Sequence, residues 1–410
     1  MECLKNKQSN KNMHTITASK RGQACVCFLS LLFAAVMTGC TGNKTNVPKE
    51  VYDEEESQQF RELAEEALDS YGTSTNYAEW MGEIFADKNP LISEMNIPGT
   101  HDTFTSYIRQ EDIDSGLTPA FKKTQLLDIE GQWNAGVRCF DVRLANTRGS
   151  SNVPKELAER DEVGIFHTEY YCSINFDEVM SSIANLLMQH PTEACIVMLK
   201  VEKDSDLNND FIKRIYDIVM PYDSLVVHNA TADIRYEDCK GKMLIFQRWT
   251  SEAPQDPDHE LQLGPVMVID SRASIESDSY TTTIFWQDGT TSKSYVQDNY
   301  EAGATHTSIE YWNDKQSYMT TYFEYAETDK SAWVFNYESG YVNHAGTTYY
   351  SMSSNVMNPW LTTYVINHID QHYGIINMDF AGSNDVYDGY HVNGKYLPML
   401  LAESNRFVNN

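Results

Sequence analysis

Short apolar segments that each end in a charged or polar residue recur along this 410-residue chain. Stretches with helical periodicity lie between several of them, notably FDEVMSSIANLLMQHP, NNDFIKRIYDIVMP and NPWLTTYVINHIDQHY. Strands that alternate with helices indicate a parallel sheet. In a closed barrel of this type the carboxyl ends of the strands converge on one face, so we expect the charged strand ends to meet in one pocket. The apolar segments are LISEMNIPGTHD, VRCFDVR, ACIVMLKVE, KMLIFQRW, SYVQDNY and GIINMDF.

Two histidines lie on either side of one of these segments. His101 belongs to NIPGTHDTF and His167 to GIFHTEY, and the segment between them, RCFDVRL, carries Asp141 and Arg143. Two imidazoles and a guanidinium can move a proton on and off a phosphodiester while holding its charge. Asp379 ends an apolar run, so it is expected to be buried and to need a partner such as an imidazole. The residues therefore indicate a phosphodiester-cleaving enzyme.

Residues 1–40 are interpreted as an export signal. Basic residues precede an apolar stretch from Cys25 to Val36 that is too short for a stable transmembrane helix. The run MTGC that follows resembles a bacterial lipobox, whose cysteine, here Cys40, becomes lipidated. We expect an exported lipoprotein that is anchored to the cell envelope through Cys40, with a plain secretory signal as the alternative.

Two further segments complete the predicted domain organisation. Residues 41–75 are polar and acidic, with one helix predicted from Ser57 to Ser70, and are interpreted as a stalk. Residues 76–408 have the composition of one large α/β domain. The formal net charge of −28 argues against nucleic-acid binding. No obligate protein partner is inferred from the sequence.

The cysteines of the predicted domain lack metal-ligand spacing such as CxxC. Two of them lie within apolar, strand-like runs, where a free cysteine behaves as a small hydrophobic residue. Buried thiols are therefore favoured over a disulfide, although export would permit one. The cysteines are Cys139, Cys172, Cys195 and Cys239.

Taken in order, the landmark segments resemble those of the secreted bacterial phosphatidylinositol-specific phospholipase C family. The likeness extends from Tyr77 to near Arg406. It implies an irregular TIM-type (β/α)8 barrel and a reaction that releases diacylglycerol and a cyclic inositol phosphate without a metal. The segments that carry it are NYAEWMGEI, NIPGTHDTF, GVRCFDVRL, FHTEYY, FDEVMSSIANLLMQHPTEACIVMLKVE, GKMLIFQRW, SYVQDNY and GIINMDF.

The resemblance implies how protons would move. His101 matches the general base that takes the proton from the inositol 2-hydroxyl, and His167 matches the general acid that protonates the departing glyceryl oxygen. Imidazole suits both roles because its pKa lies close to neutral pH. Asp379 matches the carboxylate that orients His101, and Asp102 matches the carboxylate that assists departure of the leaving group.

Arg143 determines the expected subclass. A guanidinium can hold two phosphate oxygens and can neutralise the charge that develops on phosphorus. Calcium-dependent relatives have a carboxylate in this place, whereas here the segment is Asp141-Val142-Arg143 and the next such position is Lys200. We therefore place Asp141 and Arg143 in the catalytic set and expect no metal or other cofactor, because a hard cation is disfavoured beside two positive side chains.

The remaining strand ends are expected to recognise the substrate. By resemblance, Lys200, Arg248 and Asp298 contact inositol hydroxyls and Tyr300 stacks on the inositol ring. No extra basic cluster surrounds Lys200, which favours an unphosphorylated ring. The expected partner is a membrane that contains phosphatidylinositol, and glycosylphosphatidylinositol anchors remain an alternative substrate.

Two longer segments depart from the family pattern, at 146–163 and 251–283. Aromatic residues in the loop-rich part that follows, such as Tyr341 and Tyr350, are candidates for contact with a bilayer or for burial. Two other functions also stay open. A metal-dependent glycerophosphodiester phosphodiesterase or calcium-type phospholipase would lose activity in chelator. A non-catalytic surface module would bind inositol- or glycan-bearing lipids without turnover.

Overall fold

The computed structural model describes residues 51–71, 74–109, 123–150, 153–249, 263–269, 280–300, 308–344 and 347–408. The strands in this part of the chain are β1 (Ile97–Thr100), β2 (Cys139–Asn146), β3 (Val163–His167), β4 (Tyr170–Asn175), β5 (Cys195–Val201), β6 (Met243–Trp249), β7 (Val266–Val268), β8 (Thr281–Phe285), β9 (Thr291–Gln297), β10 (Trp333–Tyr337), β11 (Val342–His344), β12 (Thr347–Tyr349), β13 (Ile375–Met378), β14 (Val386–Tyr387) and β15 (Tyr390–His391). The α-helices are α1 (Glu54–Ser70), α2 (Trp80–Ile84), α3 (Ile129–Asn134), α4 (Lys155–Ala158), α5 (Phe176–Gln189), α6 (Asn209–Val219), α7 (Tyr236–Cys239), α8 (Ser308–Thr328), α9 (Tyr350–Asn367) and α10 (Leu397–Ser404).

Nine of the described strands close into a barrel. Their order is β1-β13-β10-β9-β8-β7-β6-β5-β2, and β2 returns to β1 through the pairs Gly99 with Cys139 and Thr100 with Phe140. Eight of these strands run parallel, and β8 runs antiparallel between β7 and β9. The predicted TIM-type barrel is therefore confirmed, and its irregularity is an inserted ninth strand.

The inserted strand is half of a hairpin. The turn between β8 and β9 contains Asp288 and Gly289, and Gly289 has a φ of 82°, which glycine adopts without strain. Trp286 N donates to Thr290 O at 2.9 Å and closes the turn. The sequence around it, TTTIFWQDGTTSKSYV, is rich in β-branched residues on both sides of Asp-Gly, a pattern typical of β-hairpins.

A second hairpin projects from the carboxyl end of β2. β3 pairs antiparallel with β2, from Leu144 opposite Ile165 to Asn146 opposite Val163, and β4 pairs with β3. The long segment 146–163 connects these strands and carries α4. His167 therefore lies on an antiparallel hairpin beside the barrel, an element that the sequence analysis did not predict.

The barrel interior is apolar below the level of the charged strand ends. Close aromatic contacts fill the side next to β8, where Phe246, Trp286, Trp333 and Phe335 have neighbouring ring centroids 5.1 to 5.8 Å apart. At the amino ends of the strands, the buried side chains of Arg138 and Glu193 form an ion pair with a shortest N to O distance of 2.8 Å. The four cysteines of the described chain are buried free thiols, as the sequence predicted.

The helix predicted in the acidic segment is present as α1, and Asp53 caps its start with a capping box. Phe60, Ala64 and Ala67 form its buried face. Asn355 on α9 accepts a hydrogen bond from Tyr52 N at 2.6 Å. Residues 51–71 thus pack against α9, because the helix has an apolar face to bury.

The predicted signal segment, with Cys40, lies outside the described residues, as does most of the long segment 251–283. The domain boundaries therefore stay predictions. Among the residues that the structure describes, no helix has both the length and the apolar character needed to cross a bilayer.

Candidate active site

Three cationic side chains lie at one level of three adjacent parallel strands. Arg143 on β2 is the register partner of Lys200 on β5, and Lys200 is the register partner of Arg248 on β6. Parallel pairing places register partners on the same side of the sheet. The barrel thus presents three positive charges at the carboxyl end of its strands.

His101 and Asp379 come together at the ends of β1 and β13. These strands pair from Ile97 with Ile375 to Thr100 with Met378, so the next residue of each lies at the same edge. Asp379 Oδ1 lies 2.8 Å from His101 Nδ1, and Gly340 N donates to Asp379 Oδ2 at 3.4 Å. The buried carboxylate has the imidazole partner that the sequence predicted.

Asp102 lies between the two histidines. Its Oδ2 is 3.2 Å from His101 Nε2 and 3.4 Å from His167 Nε2, and its Oδ1 is 2.6 Å from Arg143 Nε. The backbone of Asp102 has a φ of 44°, a conformation that is uncommon for residues other than glycine. Burial raises the pKa of Asp102 to about 6, although Arg143 and His167 favour its ionised form.

Arg143 is held by acidic side chains. Asp141 Oδ2 accepts from Nη2 at 2.9 Å and from Nε at 3.1 Å, and Glu202 Oε1 lies 3.7 Å from Nη1. Burial alone would lower the pKa of Arg143, but Asp102, Asp141 and Glu202 raise it well above its usual value. Nη1 has the longest of these contacts and is the guanidinium nitrogen most available to a ligand.

His101 is poised to accept a proton. Burial lowers the pKa of His101 well below 6.5, and the positive charges of Arg143, His167 and Lys200 act in the same direction. The ring is therefore neutral near pH 7, as a general base requires. Its Nδ1 faces Asp379, so Nε2 is the nitrogen directed at Asp102 and the site.

His167 lies at the end of β3 and approaches the site from the hairpin. Its Nε2 contacts Asp102, as described, and also lies 3.3 Å from the Tyr350 hydroxyl. Thr168 N donates to Glu202 Oε1 at 2.9 Å, which ties the hairpin turn to the end of β5. The two histidines of the sequence prediction thus share one carboxylate.

The predicted substrate-binding residues lie at or just after the ends of β5, β6 and β9. Arg248 donates to Asp298 through Nη2 and to the Tyr337 hydroxyl through Nη1 at 2.7 Å. Lys200 Nζ lies 3.1 Å from Glu202 Oε2. Tyr300 lies farther out, with its ring centroid 6.1 Å from that of Tyr341. The structure thus brings together His101, His167, Arg143, Asp102, Asp141, Asp379, Lys200, Arg248 and Asp298, with Tyr300 at the rim.

Sequence reasoning did not assign several residues that contribute to the site. Glu338 directly follows β10 and ends the apolar run WVFNYE, and it accepts a hydrogen bond from Asp379 N at 3.3 Å. The expectation that charged residues at strand ends meet in one pocket, here called the strand-end rule, would have identified it. Lys315 on α8 is fully buried and donates to Asn299 O at 2.8 Å. Burial lowers the pKa of Lys315 to about 8, although the carboxylates around it favour its charged form. The sequence also left Glu202, Tyr337 and Tyr350 without a role in the site.

One group of ligand atoms has the spacing of a metal site. His101, Asp102 and Asp141 each offer an atom within 4.8 Å of the others, and all three residues are buried. Arg143 nevertheless pairs with both of these carboxylates, at 2.6 Å and 2.9 Å. A divalent cation there would lie next to a guanidinium, which is electrostatically unfavourable. The absence of a metal stays a prediction.

Glu338 provides a test of how burial changes the pKa of a carboxyl group in this site and, through it, the stability of the fold. Burial raises the pKa of Glu338 from 4.5 to about 7, against the opposing effects of the Asp379 amide and Lys315. A raised folded-state pKa contributes stability below the unfolded pKa and loses it as pH rises through the folded pKa. Compared with Glu338→Gln, the native chain should lose up to about 3 kcal/mol of unfolding free energy as pH rises from about 4.5 to 7, and little more above.

Urea unfolding at a series of pH values between 4.5 and 8 measures this difference. Glu156→Gln, at an exposed position on α4, is the matched control and should show no such slope. A difference between native chain and Glu338→Gln that does not change with pH would contradict the prediction.

Comparison with known proteins gives a consistent result. Residues 95–249 match the family model "Phosphatidylinositol-specific phospholipase C, X domain". The chain is 26% identical over 186 residues to a 1-phosphatidylinositol phosphodiesterase of Listeria monocytogenes, which covers 44% of this chain and 52% of that protein. It is 25% identical over 174 residues to a 1-phosphatidylinositol phosphodiesterase of Staphylococcus aureus. That match covers 41% of this chain and 50% of the S. aureus protein. These matches span about half the length of the relatives.

Solved structures resemble the fold over a larger part of the chain. A mutant of phosphatidylinositol-specific phospholipase C from S. aureus superposes with a TM-score of 0.59 at 19% identity and covers 80% of this chain and 98% of that one. The L. monocytogenes phosphatidylinositol-specific phospholipase C gives 0.54 at 18% identity and covers 80% and 99%. At these identities the likeness supports the barrel fold.

Proposed function

We propose that this chain, whose residues 95–249 match the X domain of phosphatidylinositol-specific phospholipase C, cleaves phosphatidylinositol to diacylglycerol and a cyclic inositol phosphate. The observation that carries the proposal is the Asp102 carboxylate, which contacts both imidazoles and the guanidinium at once. This arrangement places a base, an acid and a fixed cation around one position. Those are the groups that an internal phosphoryl transfer needs.

In the proposed reaction the substrate supplies its own nucleophile. Neutral His101, oriented by Asp379, takes the proton of the inositol 2-hydroxyl, and that oxygen forms a bond to phosphorus. The bond from phosphorus to the glyceryl oxygen breaks, and His167 gives its Nε2 proton to that oxygen. Arg143 Nη1 stabilises the charge on the phosphoryl oxygens. Diacylglycerol leaves, and the proton count of the enzyme is restored when His101 passes its proton on and His167 regains one.

The substrate headgroup is proposed to be an unphosphorylated inositol ring. Each cation of the opening has a carboxylate partner, with Lys200 paired to Glu202 and Arg248 paired to Asp298. Alternating donors and acceptors suit ring hydroxyls, whereas a further phosphate would need unpaired positive charge. Tyr300 at the rim is proposed to stack on the ring. A glycosylphosphatidylinositol anchor presents the same inositol and is the alternative form of the substrate.

A metal-dependent phosphodiesterase is the second candidate, because His101, Asp102 and Asp141 have the spacing of metal ligands. Phosphorus NMR of the purified protein with phosphatidylinositol vesicles in excess chelator separates the two. We expect a cyclic inositol phosphate signal from the native chain and none from His101→Ala or His167→Ala. Turnover that appears only after calcium is added would instead support the second candidate, and vesicle binding without turnover at any pH would indicate a non-catalytic module.

Arg143→Lys tests the built-in cation. An ammonium cannot keep the contacts that Nε and Nη2 make with Asp102 and Asp141 and also direct a further donor at phosphate, so we expect the rate to fall by about 10²-fold or more. Arg148→Lys, at an exposed arginine just after β2 that pairs with Asp161, is the matched control and should keep the native rate. A near-native kcat for Arg143→Lys in vesicle assays would remove the argument that this side chain replaces an ion.

We also propose export and attachment to the cell envelope through Cys40, on the basis of the basic, apolar and lipobox-like pattern of residues 1–40. Lipid chains on Cys40 would hold the acidic barrel at a membrane surface. Cell fractionation measures this, since the native chain should be found with membranes and Cys40→Ala should be released. Equal membrane retention of both would contradict the anchor.

A further inference from the structure

Tyr350 is the first residue of α9, and its side chain lies against the candidate general acid. Its hydroxyl is 3.3 Å from His167 Nε2, and the two ring centroids are 5.5 Å apart at an interplanar angle of 59°. Asp102 Oδ2 lies 3.4 Å from the same nitrogen. Two oxygen atoms from different elements, the loop after β1 and the start of α9, therefore contact Nε2.

Neighbouring tyrosines hold the Tyr350 ring in place. Tyr341 packs edge to face on it, with centroids 6.1 Å apart at 71°, and Tyr300 packs on Tyr341 at 6.1 Å. Tyr341 and Tyr350 directly flank the β11–β12 hairpin, so the two ends of that hairpin are joined by this contact. Aromatic pairs of this geometry prefer one orientation, which limits rotation of the Tyr350 ring.

The Tyr350 hydroxyl has the chemistry of a hydrogen-bond partner rather than of a base. Burial raises the pKa of Tyr350, and the nearby Asp102 and Asp379 charges act in the same direction. The group therefore keeps its proton through the physiological range. A carboxylate only accepts hydrogen bonds, so Asp102 favours a proton on Nε2, and the phenolic oxygen is then a second acceptor for it.

We propose that Tyr350 is a positioning residue that holds the His167 ring with its Nε2 proton directed into the site. This inference rests on the proposed function, in which Nε2 gives that proton to the glyceryl oxygen. The phenol oxygen and Asp102 Oδ2 together fix the direction of the Nε2 proton, and the phenol contact persists when the leaving-group oxygen approaches that proton. Without the hydroxyl, the ring loses one of the two contacts described at this nitrogen and spends less time aligned for proton transfer.

Tyr350→Phe tests the inference because it removes the hydroxyl and keeps the ring packed on Tyr341. Tyr349→Phe is the matched control, since the adjacent Tyr349 ring contacts Tyr390 at 5.8 Å instead of His167. We expect kcat of Tyr350→Phe to fall by about tenfold, the size of one lost hydrogen bond to a charged group, with KM within about twofold. The control should keep both constants.

The pH–rate profile gives a readout that a packing role would not move. The titratable groups described near His167 include Asp102, His101, Glu202 just after β5, Cys172 on β4 and Tyr350 itself. All of these except Tyr350 are the same in both variants. An acceptor binds the charged imidazole more strongly than the neutral ring. The alkaline limb, where the general acid loses its proton, should therefore move to lower pH in Tyr350→Phe and stay in place in Tyr349→Phe.

Nitrogen NMR of the histidine rings in substrate-free protein provides a second measurement. The His167 Nε2 signal should shift in Tyr350→Phe and not in Tyr349→Phe. If native protein and control turn over substrate while Tyr350→Phe matches them in kcat and in the Nε2 signal, the inference is wrong. A rise in KM alone would also overturn it, because Tyr350 would then bind substrate directly. If the native protein does not turn over substrate, the proposed function itself is contradicted.

Discussion

The rest of the site depends on the contacts that the Asp102 carboxylate makes. One side chain contacts His101, His167 and Arg143, which come from the end of β1, the β3–β4 hairpin and β2. The unusual backbone of Asp102, with its positive φ, directs the carboxylate into the opening, and its N donates to Asp141 Oδ2 at 3.3 Å. This buried carboxylate is tolerated because Arg143 and His167 favour its ionised form.

Charge balance extends this arrangement over the whole opening. The cations on β2, β5 and β6 each have a carboxylate partner, and Glu338 and Lys315 lie behind Asp379. Although burial alone would raise the pKa of Glu202, Lys200 and Arg143 lower it to about 2. The same barrel edge thus contains carboxylates with raised and with lowered pKa values.

The sequence predicted the elements that obey local rules. Burial of Asp379 predicted an imidazole partner, the family resemblance identified that partner as His101, and the register of β1 with β13 accounts for their contact. Strand β8 was missed, since an antiparallel hairpin inserted between two parallel strands interrupts the alternation on which the prediction relied. The contact of Tyr350 with His167 joins residues 183 positions apart and leaves no local pattern. Glu338, in contrast, obeyed the strand-end rule and was overlooked.

The inserted strand also affects the dimensions of the entrance. A barrel's diameter grows with the number of its strands, so nine strands enclose a broader cross-section than eight at the same tilt. Large rings, among them Trp286 and Trp333, occupy the extra space on the floor beside β8. At the carboxyl ends of the strands, the larger circumference distributes the polar residues over a longer perimeter. The insertion thus enlarges the barrel on the side across from β1 and β2, near whose ends His101 and Arg143 lie.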